Sequence, residues 1–161
     1  MSKVYQFRQA TDSDLPLLQQ WTLALMDHEA LPQEIELPLK ADVDERIRQW
    51  IESTVNSDNA LYIVAEDEQQ KPCGCILGLM QLAPNDFIEH AIQGLIQMVW
   101  VIESERRHGL ANQLVSHMEQ TFKNLEIPFC EISFSVSNDE AKGFWLANNY
   151  QPVSQTCRKF L

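Results

Sequence analysis

Residues 98–119, MVWVIESERRHGLANQLVSHME, decide how this chain folds. The run ending near Ile102 is almost wholly apolar, as a central strand covered on both faces requires. Over 109–125, Leu110, Leu114, Met118, Phe122 and Leu125 recur at helical spacing with Ala111 and Val115 beside them, a wide apolar stripe. Between strand and helix lies a short turn in which Arg106, Arg107 and His108 are adjacent. The first N–H groups of a helix lack intrahelical partners. With the helix dipole they make an anion site, worth about 0.3–2 kcal/mol per well-placed charge. Gly109 puts no side chain where a ligand meets the backbone, and Ala111 adds little more. The arginines supply donors suited to phosphate oxygens, at about 1.5–3 kcal/mol per charge-assisted bond. The turn reads as a pyrophosphate cradle.

Two commoner phosphate loops are absent, G-x-x-x-x-G-K-[ST] and G-x-G-x-x-G. The five glycines, Gly74, Gly78, Gly94, Gly109 and Gly143, are too scattered for a dinucleotide loop. Outward from the turn, strands and helices alternate. Residues 3–8 read as a strand. Residues 11–28 set Leu15, Leu18, Trp21, Leu25 and Met26 at helical spacing behind Asp12 or Ser13 as cap. Pro32 and Pro38 mark a loop, and Val43, Ile47, Trp50, Ile51 and Thr54 mark a second helix. ALYIVAED (60–67) and CGCILGLMQL (73–82) read as a hairpin about a polar turn. After the loop APNDFIEHAIQG (83–94) come the opening stretch and the strand FCEISFSV (129–136). SNDEAKGFWLANNY (137–150) is a helix with Ser137 and Glu140 as capping box and Ala141, Phe144, Trp145 and Asn148 on one side. QTCRKFL (155–161) closes as a strand. The order β α α β β β α β α β is one mixed α/β structure, not a doubly wound sheet.

The 161 residues suit a single domain, 1–161. A chain near this length buries roughly 68–70% of its unfolded surface, enough for a core without staples. Twelve Lys and Arg face 23 Asp and Glu, a formal charge of -11. Such a chain repels nucleic acid and anionic membranes, so neither is an expected partner, and a cationic one is favoured. The same excess also serves solubility. Cys73, Cys75, Cys130 and Cys157 form no zinc spacing, and no metal is expected. They read as free thiols in a reducing compartment, with Cys73 and Cys75 on one strand face. MSKVYQFRQA has no signal-peptide core and no run approaches a membrane span, so the chain reads as cytoplasmic.

The spacing Arg106-x-x-Gly109-x-Ala111 resembles the R/Q-x-x-G-x-G/A motif of the GNAT superfamily, the acetyl-CoA-dependent N-acyltransferases. NDEAKGFWLANNY resembles a later block of that family, N-x-x-A-x-x-(L/F)-(Y/W), with Asn138, Ala141, Phe144 and Trp145 in register. YQFRQATDSDLPLL resembles its usual opening, and the likeness runs from about Val4 to Leu161. It implies an α/β (α+β) fold, a mostly antiparallel mixed sheet splayed between its fourth and fifth strands and flanked by helices. The pantetheine arm of acetyl-CoA would lie in the splay against the backbone of Val99, Trp100 and Val101. The pyrophosphate would rest on N–H groups of Arg106, Arg107, His108, Gly109, Leu110 and Ala111, with Asn112 nearby. Asn138 would lie beside the arm, and Phe144 and Trp145 would wall it. The implied reaction is direct attack of a free amine on the thioester. Freeing an ammonium of ordinary pKa at pH 7 costs about 4.6 kcal/mol, so a base, or a water chain to one, should help. Such proteins are commonly homodimers, and the sequence shows no seam for one.

The pattern departs from the family in two places. Trp145 stands where the family often has a tyrosine as general acid, and an indole only donates. Tyr150 aligns instead with a packing aromatic, after Asn149 in the place of a glycine. The central strand offers Gln93, Leu95 and Gln97 but no carboxylate, so Glu89 and His90 are the nearest base candidates, beside a water-mediated route. The family's acceptor site usually borders the segment between the first two helices. Here 27–45 holds seven carboxylates against Lys40, with Glu29, Glu34 and Glu36 as candidate contacts for a cationic acceptor. A polyamine, an aminoglycoside-like amine or a basic peptide N-terminus would fit, although acidic residues favour a helix start in any case. The readings are a small-molecule amine N-acetyltransferase, a protein or peptide N-acetyltransferase, and a non-catalytic acyl-CoA-binding module.

Overall fold

The structure, a computed structural model, describes residues 3–32 and 34–161. Strands β1 (Gln6–Gln9), β2 (Ala60–Glu66), β3 (Pro72–Leu82), β4 (Ile92–Val101) and β5 (Cys130–Ile132) form one sheet in that order. The first four pair antiparallel. β5 joins β4 in parallel through Gly94↔Cys130, Leu95↔Glu131 and Ile96↔Ile132. This is the mixed, mostly antiparallel sheet that the resemblance implies. Helices α1 (Leu15–His28) and α2 (Val43–Val55) cover one face, and α3 (Leu110–Asn124) and α4 (Asp139–Ala147) the other.

Each face has its own core. Leu18, Trp21, Ile47 and Ile51 meet Tyr62, Val64, Cys75, Leu77 and Met98 on the α1 side. Leu110, Leu114, Met118, Phe122 and Trp145 meet Cys73, Ile76, Ile96 and Val101 on the α3 side.

Two bulges set which residue faces which core. The register passes from Gly78↔Ile96 to Leu77↔Met98, so Gln97 is an extra residue on β4. One inserted residue turns every later side chain over. Ile96 accordingly faces α3, and Met98, two places on, faces α1. A second shift, between Glu66↔Pro72 and Ala65↔Gly74, makes Cys73 extra on β3. Cys73 therefore belongs to the α3-side core and Cys75 to the α1-side core, which corrects the expectation of one shared face. Burial pushes the Cys73 thiol up to about 11 and raises Cys75 further, so neither is a nucleophile near neutrality.

Other expectations also change. Asp12–Asp14 form a 3-10 turn capped by Thr11, not by Asp12 or Ser13, with Asp14 accepting from the Thr11 N–H at 2.8 Å. α4 is capped by Asn138 rather than Ser137, its Oδ1 accepting from the Ala141 N–H at 3.0 Å. β4 is central but not fully covered, because the sheet opens beside it: Gln97 is exposed and Val99 and Trp100 are half-buried. Residues 155–161 form no strand. β5 ends at Ile132 and offers little edge to pair with, and Arg158 donates instead to the Ile35 carbonyl.

Candidate active site

β4 and β5 stop pairing after Ile96 and Ile132, at the Gln97 bulge. Past that point the β5-facing edge of β4 has no strand partner, and the gap is a cavity of about 200 Å³. Its wall takes Leu25, His28 and Glu29 from α1, β4 from Ile96 to Val101, and Ser133 after β5. Arg106, Ala111 and, around α4, Asn138, Glu140, Ala141, Phe144 and Trp145 complete it. Since α1 lies on one face of the sheet and α3 and α4 on the other, the cavity passes through the sheet.

The basic turn opens onto this cavity. Gly109 is the N-cap of α3 at φ 84°, and no side chain among the described residues caps the helix. The N–H groups of Leu110, Ala111 and Asn112 are thus left for a ligand or solvent. A Cβ on Gly109 would meet no protein atom within 4 Å, and its left-handed backbone favours glycine there. Arg106 Nε donates to the Val101 carbonyl at 3.1 Å, and its guanidinium stacks 5.1 Å from the Trp100 ring centre. Arg107 is exposed and pairs loosely with Glu140 at 3.4 Å, a contact worth about 1 kcal/mol at most. Glu105 anchors the turn from below, accepting from the Tyr5 hydroxyl at 2.7 Å and from Lys3 Nζ at 2.9 Å. Tyr5, then Lys3, hold its carboxyl below the usual carboxylate range.

Of the expected cofactor contacts, Val99, Trp100, Val101, Arg106, Ala111, Asn138, Phe144 and Trp145 line the cavity. Arg107, His108, Gly109, Leu110 and Asn112 form the turn and helix start beside it. Of the acidic candidates Glu29 lines the cavity, while Glu34 and Glu36 lie on the following loop outside its wall. Glu29 Oε1 accepts from Asn138 Nδ2 at 3.2 Å, and its carbonyl accepts from Ser135 Oγ at 2.8 Å. These bonds tie the end of α1 to the start of α4. Glu45 is drawn away by Arg48, which holds its carboxyl down at about 2.

Glu89 and His90 sit on the exposed β3–β4 loop and do not line the cavity. Neither does Tyr150, whose hydroxyl donates to Glu119 at 2.9 Å and lies 3.2 Å from Cys130 Sγ. Burial, then those two partners, push its phenol above the usual value. Tyr150 faces a separate cavity of about 900 Å³ beside α3, β5 and residues 148–156. Among the described residues no group of three or more His, Cys, Asp or Glu could hold a metal, and no helix is long and apolar enough to cross a membrane. Sequence reasoning missed Leu25, His28, Ile96, Gln97, Met98, Ser133, Glu140 and Ala141. The bulge left no trace because LIQMVWVI is apolar at nearly every position. His28 was readable only as the last turn of a helix.

An uncapped helix start beside a slot through a sheet suits an acyl donor with an anionic head and a long thin arm. The model of the acetyltransferase (GNAT) family matches residues 23–150, and the chain belongs to that family. The cavity and turn fit a donor such as acetyl-CoA. Solved structures agree in fold. A GCN5-related N-acetyltransferase from Ralstonia eutropha JMP134 is 16% identical with TM-score 0.79, over 98% of this chain and 99% of that one. The aminoglycoside antibiotic 6'-N-acetyltransferase AAC(6')-IG from Acinetobacter haemolyticus is 13% identical with TM-score 0.75, over 97% of each chain. A predicted acetyltransferase from Clostridium acetobutylicum, solved with acetyl-CoA, is 14% identical with TM-score 0.76, over 98% of this chain and 96% of that one. No curated protein matches the chain.

Proposed function

We propose that the protein acetylates a primary amine on a small cationic acceptor, by direct attack on acetyl-CoA within a ternary complex. The observation that carries this reading is the cavity through the sheet, with the basic helix start on one face and Glu29 on the other. The donor's pyrophosphate takes the free N–H groups of Leu110, Ala111 and Asn112. Its amide-bearing arm takes the unpaired edge of β4 near Val99 and Val101. Phe144 and Trp145 keep water from that arm. The acceptor enters beside α1, where Glu29 offers a carboxylate to its ammonium in a chain of formal charge -11. The fold shared with an aminoglycoside 6'-N-acetyltransferase supports an acceptor of this kind.

Backbone N–H groups near the bulge can polarise the thioester carbonyl. A thiol of cysteine type titrates near 8.5, so the thiolate leaves at pH 7 at a cost of about 2 kcal/mol and needs no strong acid. The lack of a tyrosine on the cavity is compatible with turnover.

The test is a panel of polyamines, aminoglycosides and basic peptides, with thiol release as readout. Turnover of a polyamine or an aminoglycoside is expected. Glu29→Gln should raise the acceptor KM roughly tenfold or more, the loss of one charge-assisted bond, and leave acetyl-CoA affinity unchanged. Selective turnover of peptides would replace the small-acceptor reading. Acetyl-CoA binding without turnover of any amine would leave an acyl-CoA-binding module.

A further inference from the structure

We infer that His28 is the general base that takes the proton from the acceptor's ammonium, an inference that rests on the acetyl-transfer reading above. Four titratable side chains line the cavity: His28 and Glu29 from α1, Arg106 from the turn and Glu140 from α4. A guanidinium has no site to accept a proton. Glu140 faces the cofactor turn and pairs with Arg107. Glu29 is held by Asn138 and, in the reading above, is occupied as the carboxylate that holds the ammonium. Imidazole is the side chain that ordinarily gains and loses its proton near neutrality.

The placement of His28 fits the task. It lies in the last turn of α1, one residue before the carboxylate proposed to hold the ammonium. It is exposed and has no hydrogen-bond or ion-pair partner among the described residues, so its ring has no structural duty. β4 from Ile96 to Met98, where the strands part, lines the same cavity.

The step balances as follows. One proton passes from the ammonium nitrogen to His28. The freed lone pair forms the C–N bond to the acetyl carbon. The C–S bond breaks with its electron pair on sulfur. The second proton shed by nitrogen reaches the thiolate through water, and His28 returns its proton to solvent. The products are an amide, a free thiol and one released proton.

The test compares wild type, His28→Gln and His28→Ala, with spermidine and kanamycin as acceptors and with water as acceptor in slow acetyl-CoA hydrolysis. Folding is checked by Tm and donor binding by calorimetry. His28→Gln should lower kcat about 100-fold at pH 7 with acetyl-CoA affinity unchanged. The deficit should shrink as pH rises and free amine becomes abundant, and added imidazole should partly restore His28→Ala. A folded His28→Gln protein within roughly threefold of wild type from about pH 6 to pH 9 would overturn the assignment. Wild type that binds acetyl-CoA yet turns over neither amine nor water would remove the acetyl-transfer reading itself, and this one with it.

Discussion

Arg8 holds two carboxylates at once. Its Nε donates to Glu66 at 2.7 Å, and its terminal nitrogens donate to the two oxygens of Asp14, each at 2.8 Å. Asp14 is buried, and Arg8 is the main cause that keeps its carboxyl below the usual range, against the opposing effect of burial. The native carboxyl therefore binds its proton less readily than the unfolded one. The stabilisation is complete above the unfolded value near 4 and is lost as pH falls through it towards the lower native value. Asp14→Asn should cost about 2–3 kcal/mol at pH 7 in urea unfolding, and the gap to wild type should narrow below about pH 4. Equal stability at pH 7, or a gap that persists in acid, would contradict this. Residue-scale legibility in the sequence followed the same logic of local demand. Gly109 answers a backbone angle and shows in a short motif, whereas the cap of α4 did not, because Ser137 and Asn138 are both good caps and the fold selects Asn138. That Glu29, of seven nearby carboxylates, is the one on the cavity depends on where α1 ends over β4, which no motif records.

At the scale of elements, the extra residue on β4 and the parting of β5 coincide, and together they open the cavity. Gly74 on β3 lies opposite Val101, the last residue of β4. A Cβ there would stand 2.8 Å from the Trp100 carbonyl oxygen and 3.2 Å from Leu110 Cδ2. A backbone oxygen yields little, so Gly74→Ala should shift the end of β4 into the cavity. We expect a loss of about 1–3 kcal/mol in urea unfolding, with weaker acetyl-CoA binding. Unchanged stability and binding would show that β4 moves freely there. Helical stripes were legible because amphipathic spacing is local, as the burial of Leu110, Leu114, Met118 and Phe122 shows. Strand pairing is not local. The bulges at Cys73 and Gln97 and the unpaired segment 155–161 depend on partners far away in the sequence.

Across the whole molecule, two cores back a single sheet, and one cavity crosses it. The net charge of -11 favours a cationic acceptor and opposes an anionic donor everywhere except at the basic turn. The proposed donor half of the site was readable because it is built on one strand–turn–helix unit. The proposed acceptor half was not, because it joins the end of α1 to residues more than a hundred positions later, such as Ser135 and Asn138. The account rests above all on the claim that the α3 start and the cavity beside it hold acetyl-CoA. Calorimetric titration of wild type and of an Arg106→Glu, Gly109→Glu double variant, both shown folded by Tm, tests it most directly. We predict micromolar binding at one site per chain, lost in the variant. No binding at millimolar acetyl-CoA, or equal binding by both proteins, would contradict it.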